Sequence, residues 1–387
     1  MSHLTLGAYE RFNYGDLLFP IVLDHFYEQR PQFSRESQVL VHCTVGSGDM
    51  GRHGGARTQK LQREIRKGSH ELIVGGGEVV GAGWFSMWAS LQSSSCDRLV
   101  RGARKVVPRS ARESCARRAM GGTWRFPFVP EIDVLKRVGY NAVGASHTVA
   151  LGEEARSELW RVIGASSYAS VRDNRTAQLA QCHGLGLPVV PDSAATLFEL
   201  KRFERQRAQS PLSRGTSSGR VVVQMSRQWA EGCSAESINA LNDIGLRCEG
   251  LDLLAVGLAG SHSDVLGLTL LSRRLECPTT VIIPESVDEI VSVISSARGV
   301  VASSLHVNVT AMAAGVWQIP LDGIKKLTAY MDTWGFEDES PVSGSGILDR
   351  FLMYDRESPS SRRVDRSHDL SDRAGRSVRE LIERTYG

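Results

Sequence analysis

From Arg220 onward the chain alternates short, largely β-branched runs with helical segments, and this alternation limits its possible folds more than any other feature. Residues 220–225, 251–257, 280–283 and 299–302 read as strands, apolar at nearly every position. A strand that is apolar on both faces must be covered on both faces. Each run is followed by a helical segment. Ser234 caps a helix through Leu241 that stops at Gly245, and residues 264–275 form a second. Ser286 and Glu289 open a third that stops at Gly299, and residues 307–314 form a fourth. Such repetition predicts a parallel sheet flanked by helices.

The first half carries the same signal more weakly. Residues 39–45, 71–74, 141–145 and 168–171 read as strands, and residues 188–190 as a short one ending at Pro191-Asp192. Residues 201–219 are rich in Arg, Gln, Ser and Gly and have little to bury, so the domain boundary is expected there. With 387 residues, two domains are the natural count. The expected division is 1–205, 206–345 and a tail, 346–387, whose amphipathic end (Val378, Leu381, Ile382) is suited to docking on the first domain. The expected fold class is therefore α/β, with two Rossmann-like domains built on parallel sheets.

Composition narrows the function classes. A hydrophobic share of 41% and a charged share of 23% describe a globular chain, and a net charge of +3 requires no nucleic-acid partner. The basic residues cluster, however. Arg101, Arg104, Lys105, Arg109, Arg112, Arg117 and Arg118 face one acid, Glu113. Without interleaved aromatics this stretch is not a single-strand nucleic-acid platform. It reads as a solvated loop, with contact to an anionic membrane surface through residues 101–118 as the alternative. Seven scattered cysteines without a C-x-x-C pair indicate reduced thiols and no zinc site. Residues 1–10 lack the pattern of a signal peptide, and no apolar run reaches the roughly 18–20 residues of a membrane span. The expected location is the cytoplasm, with the inner face of the membrane within reach.

Four segments fall where ligands bind in such sheets, at carboxyl ends of strands or at the opening of a half. Asn13-Tyr14-Gly15-Asp16 precedes a helix; Asp16 can accept a sugar hydroxyl or a proton, or simply cap the helix. Gly75-Gly76-Gly77 follows a strand; its amides can cradle phosphate, and a tight turn explains it equally well. Ser170-Val171-Arg172-Asp173 ends a strand at a helix start; Arg172 can bind an anion or pair with Asp173. Ser303-Ser304-Leu305-His306 brings two hydroxyls, backbone amides and an imidazole to another helix start, and His is suited to moving protons near neutral pH. Arg172 and His306 lie on opposite sides of the 201–219 segment, so they can meet only across an interdomain cleft.

Taken in order, these segments, together with Pro191-Asp192 and the small-residue run Ala313-Ala314-Gly315 after His306, resemble the polysaccharide pyruvyl transferase family over most of residues 7–335. The resemblance implies two Rossmann-like domains of the GT-B type. It implies transfer of a pyruvyl group from phosphoenolpyruvate to a sugar or lipid-linked glycan, forming a cyclic ketal, without a cofactor or metal. Arg172 and His306 match the family's donor-binding and acid–base positions. Asp16 is a third expected catalytic residue, with Asn13 and Asp16 on the acceptor. Ser303, Ser304, Leu305, Lys325 and Gly75–Gly77 are expected on the donor. Family members often carry Arg two residues before the His; here Ser304 stands there, and Arg227 or Lys325 can supply the charge. Two alternatives belong beside this reading: a GT-B glycosyltransferase using a nucleotide sugar, with Glu285 as the acid for its ribose, and a non-catalytic glycan-binding relative.

Overall fold

The computed structural model describes residues 2–30, 39–46, 48–68, 70–92, 96–131, 135–210, 219–259, 263–356 and 361–387. The chain divides into two compact units. One takes in the chain up to Ser193 and again from Gly375; the other takes Ala194–Leu258 and the stretch that ends at Ala374. The division falls ahead of the polar run because Leu197, Leu200 and Phe203 are buried and open the second unit. Of the run itself, residues 211–218 lie outside the described residues.

The first unit is built on six parallel strands: β1 (Ser2–Leu6), β2 (Leu40–Thr44), β3 (Thr58–Lys60), β4 (His70–Val74), β5 (Arg137–Val143) and β6 (Tyr168–Val171). Their order is β3-β2-β1-β4-β5-β6. Strand β1 has three polar residues in five, Ser2, His3 and Thr5, so its composition does not report a strand buried at the centre of a sheet. His3 and Thr5 are nevertheless buried, and each has a partner: His3 meets the Tyr27 hydroxyl (2.7 Å) and Thr5 meets His42 (2.8 Å). Buried polar groups survive in a core on that condition. Residues 188–190 contribute only an isolated bridge, Val171 to Val189.

The second unit is built on five parallel strands: β7 (Val221–Gln224), β8 (Leu251–Leu254), β9 (Thr279–Ile282), β10 (Gly299–Ala302) and β11 (Trp317–Pro320), in the order β11-β10-β7-β8-β9. Its core joins Val221, Val223, Leu251, Leu253, Val301 and Ile319 of the sheet to Ile238, Leu241, Ile244 and Phe351 of the helices. The helix starts form as their caps dictate. Ser234 accepts from the Ser237 amide and Ser286 from the Glu289 amide. Gly245 does not end its helix, which continues to Arg247; a Cβ there would lie 2.3 Å from Cys277 Sγ, so Gly245 serves packing instead.

In both units the strand order reverses beside the first strand, between β1 and β4 and between β7 and β10. These reversals leave crevices at the carboxyl ends, where open α/β sheets bind ligands. The closing helix, Ser361–Tyr386, contributes to each unit in turn. Arg366 bonds Glu339 and Ser367 donates to the Ala313 carbonyl in the second; Ser377 meets Tyr168 and Tyr386 donates to the Leu4 carbonyl in the first.

The basic stretch is helical rather than a loop. Helices Asp97–Val106 and Arg109–Met120 cover it, as its content of Arg and Ala favours. Arg112 lies 5.0 Å over the Phe85 ring and Arg109 donates to the Ala150 carbonyl, while Lys105, Val106 and Val107 stay exposed at the corner. Among the described residues no helix is long and apolar enough to cross a membrane.

Candidate functional site

In the first unit the β1/β4 crevice gathers two of the four segments. Asn13 opens the helix Tyr14–Glu28, and its carboxamide donates to Asp16 Oδ2 (2.7 Å). Asp16 stands in the first turn, where a carboxylate faces the positive end of the helix dipole. A Cβ on Gly77 would lie 3.6 Å from Asp16 Oδ1, so the acid and the glycine cluster share one crevice.

The glycine cluster has a packing reason of its own. A Cβ on Gly75 would fall 1.9 Å from the Tyr9 hydroxyl, and one on Gly76 2.7 Å from the Phe19 ring. Gly76 and Gly77 also adopt φ values of 131° and 87°, which L residues rarely occupy. Asn141, buried at the end of β5, donates to the Gly75 carbonyl (2.9 Å) and to Ser193 (3.1 Å). Its neighbour Ala142 takes a φ of 43° and donates to Ser170 Oγ (2.9 Å), a strained turn held by the end of β6.

Arg172 stands at the end of β6 and is 1% exposed. Its guanidinium bonds Glu78, the residue after the glycine cluster, and lies 3.7 Å from Asp173 and 3.9 Å from Asp192. Glu78 also accepts from the Ser146 amide. Asp173 caps the helix Asn174–Gln181 through the Thr176 amide (2.7 Å). One cation thus faces three carboxylates in a buried setting. Gly144 makes the room, since a Cβ there would lie 2.6 Å from both Arg172 and Glu78. Charge of this sign ties the ends of β4, β5 and β6 together and offers hydrogen-bond acceptors rather than a vacant cation.

In the second unit the β7/β10 crevice holds the fourth segment. Ser303 is buried and accepts from the Ser226 amide (2.8 Å). Ser304 is the N-cap residue of the helix Leu305–Ala313. Its amide donates to Gln224 Oε1 (2.8 Å), which also accepts from Ser303 Oγ (3.3 Å). Leu305 is buried in the core, and His306 is half-buried in the first helical turn. The opening amides of such a turn have no intrahelical acceptor, and with the dipole they favour an anion. Arg227 begins the helix that follows β7 and pairs with Glu231 (2.8 Å). Lys325 is exposed and opens the helix Lys325–Trp334 after β11; Glu285 is exposed before Ser286.

Behind Ser303 and Ser304 lies a support that sequence reasoning did not find. Gln224 Nε2 donates to Asp264 Oδ2 (3.1 Å), which also accepts from the Val256 (3.2 Å) and Gly257 (3.1 Å) amides. Burial pushes the Asp264 carboxyl up to about 6, although these donors oppose the rise. The available signal was Gln224 itself, a polar residue closing the apolar strand Val221-Val222-Val223. Glu78 had no signal beyond adjacency to the glycines. Among the described residues no group of three or more His, Cys, Asp or Glu is placed to hold a metal ion.

The family model for polysaccharide pyruvyl transferase matches residues 120–323, just over half of the chain, including both the Arg172 and His306 segments. The chain belongs to the polysaccharide pyruvyl transferase family. The Asn13–Asp16 segment, Gly75–Gly77 and Lys325 fall outside the matched stretch. No curated protein matches the chain. Among solved structures it is similar to a putative UDP-N-acetylglucosamine 2-epimerase from Listeria monocytogenes (TM-score 0.50, 10% identity, 99% of this chain and 95% of that one). It is likewise similar to the MnaA–UDP co-structure of S. aureus (TM-score 0.50, 8% identity, 98% and 94%). At such identities the likeness gives the fold class, GT-B, for this pyruvyl transferase family member.

Proposed function

We propose that the chain transfers a pyruvyl group from phosphoenolpyruvate to two hydroxyls of a sugar on a cell-surface polysaccharide or its lipid-linked precursor, forming a ketal. The observation that carries this reading is His306. Within the family match, it stands in the first turn of a helix at the carboxyl edge of the second sheet, on a turn braced by Gln224. There an imidazolium can give its proton to the donor's methylene carbon, making it a methyl group. One sugar hydroxyl then adds to the adjacent carbon, phosphate leaves, and a second hydroxyl closes the ring. Both hydroxyl protons pass to bases, so the imidazole regains one. No redox partner is needed for this balance. The Leu305 amide, with Lys325, is the donor's anion contact in this proposal, the Ser304 amide being held by Gln224. Asn13 and Asp16 are acceptor contacts, Asp16 as the base.

Arg172 enters this reading as a positioning residue. Its guanidinium is committed to Glu78 beside Asp173 and Asp192, and holding Glu78 there fixes the backbone after Gly75–Gly77. The exposed corner of Lys105, Val106, Val107 and Arg109 is the surface we assign to an anionic membrane, where a lipid-linked acceptor would reside.

The test is phosphate release from phosphoenolpyruvate with candidate glycans, together with detection of the ketal. Replacing His306 by Ala should lower the rate by about 10²–10⁴-fold, the usual span for a general acid–base. Undiminished ketal formation by the His306→Ala protein would remove the residue from the mechanism.

A further inference from the structure

The second unit holds a cavity of about 590 Å³ that none of the roles above uses. That volume lies within the roughly 300–1,000 Å³ of small-molecule sites. Its wall is formed in part by Trp229, Glu236 and Asp322, with Ser234, Ser343 and Ser345 around them. No Lys, Arg or His is among the described residues that line it. A carboxylate-bearing, cation-free wall repels phosphates and other anions, so the donor does not fit this place. Neutral ligands rich in hydroxyls do.

We propose that this cavity is a sugar-binding subsite, separate from Asn13 and Asp16, that holds a neutral ring of the glycan acceptor. A pyranose has an apolar C–H face and a rim of hydroxyls, and the cavity offers a counterpart to each. Trp229 supplies an aromatic wall. Its Nε1 donates to the Asp322 carbonyl (3.2 Å), which fixes the indole in place. Glu236 and Asp322 accept from hydroxyls, as charged acceptors do with most gain. Space for Glu236 is reserved by Gly344, where a Cβ would come within 2.8 Å of its Oε2. The position of Gly344 is in turn fixed by its amide, which donates to the buried Ser237 Oγ (3.1 Å). Ser343 and Ser345 are exposed beside it and can give or accept as a hydroxyl rim requires.

This subsite deepens the sugar side of the proposed function, and its test is run without phosphoenolpyruvate. The full chain is titrated with the methyl β-glycosides of galactose, glucose and mannose, observed by saturation-transfer NMR, with inorganic phosphate as competitor. At least one glycoside should bind saturably, and phosphate should not displace it. Glu236→Gln and Trp229→Ala should each weaken binding by about ten-fold or more, the scale of one hydrogen bond to a charged group or one aromatic contact. Trp229 also packs on the core, so Ser345→Trp, an exposed change that fills the cavity, serves as the second variant and should abolish binding. No saturable binding of any glycoside, displacement by phosphate, or equal binding to all three variants would overturn the subsite. If glycoside binding behaves as expected and the wild-type chain releases no phosphate from phosphoenolpyruvate with any glycan, the transferase reading fails and the subsite stands. If phosphate release and ketal formation occur and the variants bind glycosides undiminished, the subsite fails alone.

Discussion

Replacing Asp264 by Asn should make stability less sensitive to pH, by an amount the structure sets. Asp264 is 6% exposed, and its carboxyl is raised from 3.8 to about 6, chiefly by burial. Between those values the folded chain holds a proton that the unfolded chain has released. Stability from this group is therefore fully present below about pH 3.8 and is lost as pH rises through 6. The whole loss corresponds to about 3 kcal/mol at 1.36 kcal/mol per unit, and about 2 kcal/mol of it falls between pH 4.5 and 7.5. Asn keeps an acceptor for Gln224 and the Val256 and Gly257 amides but cannot ionise. Urea unfolding of both full-length proteins across this range isolates the term, because other titrations cancel in the difference. The Asn variant should gain about 2 kcal/mol relative to the parent between pH 4.5 and 7.5. A difference that stays constant, or a carbon-13 titration placing the Asp264 carboxyl near 4, would refute the argument.

Three further outcomes follow from particular contacts. Arg172→Ala leaves Glu78, Asp173 and Asp192 without their shared cation and should cost about 3–5 kcal/mol in urea unfolding, whereas Glu78→Gln should cost less. Gly75→Ala should fail to reach a stable fold because its Cβ meets the Tyr9 hydroxyl at 1.9 Å; with Tyr9→Phe added, the nearest ring atom, Cζ, lies at 3.2 Å, and thermal melting should show partial rescue. Gln224→Leu strips the Ser304 amide of its acceptor and should reduce ketal-forming turnover, measured as phosphate release, more strongly than donor affinity.

What the sequence disclosed, and what it concealed, has physical causes. The second sheet was legible because β7, β8 and β10 are mostly apolar and buried, so composition reports their burial, while the edge strand β9, with no fully buried residue, is marked by its β-branched run. The fifth, Trp317–Pro320, escaped notice because Gln318 interrupts it and Pro320 ends it. Strand β1 was hidden by His3 and Thr5, whose burial depends on Tyr27 and His42, partners far off in the sequence. Strand β5 was read too late because Ala142 breaks its regularity next to Gly144. The glycine cluster lies at the β1/β4 crevice for a packing reason as well, since Tyr9 and Phe19 require two of its members. Gln224, Asp264 and Glu78 became visible only in three dimensions, because each acts by reaching a loop on another strand.

The closing helix imposes an order on biosynthesis. Strands β1 and β4–β6 are all made by Val171, yet Leu381 and Thr385 pack against Gly139 and Tyr386 bonds the Leu4 carbonyl. The first unit thus waits for the codons of residues 381–386, with the whole second unit translated in between. At roughly 5–20 residues per second, that face of the sheet stays uncovered for about 10–40 s on the ribosome. A nascent chain of this design needs protection of its amino-terminal half for that interval, and any truncation before Leu381 extends the interval indefinitely.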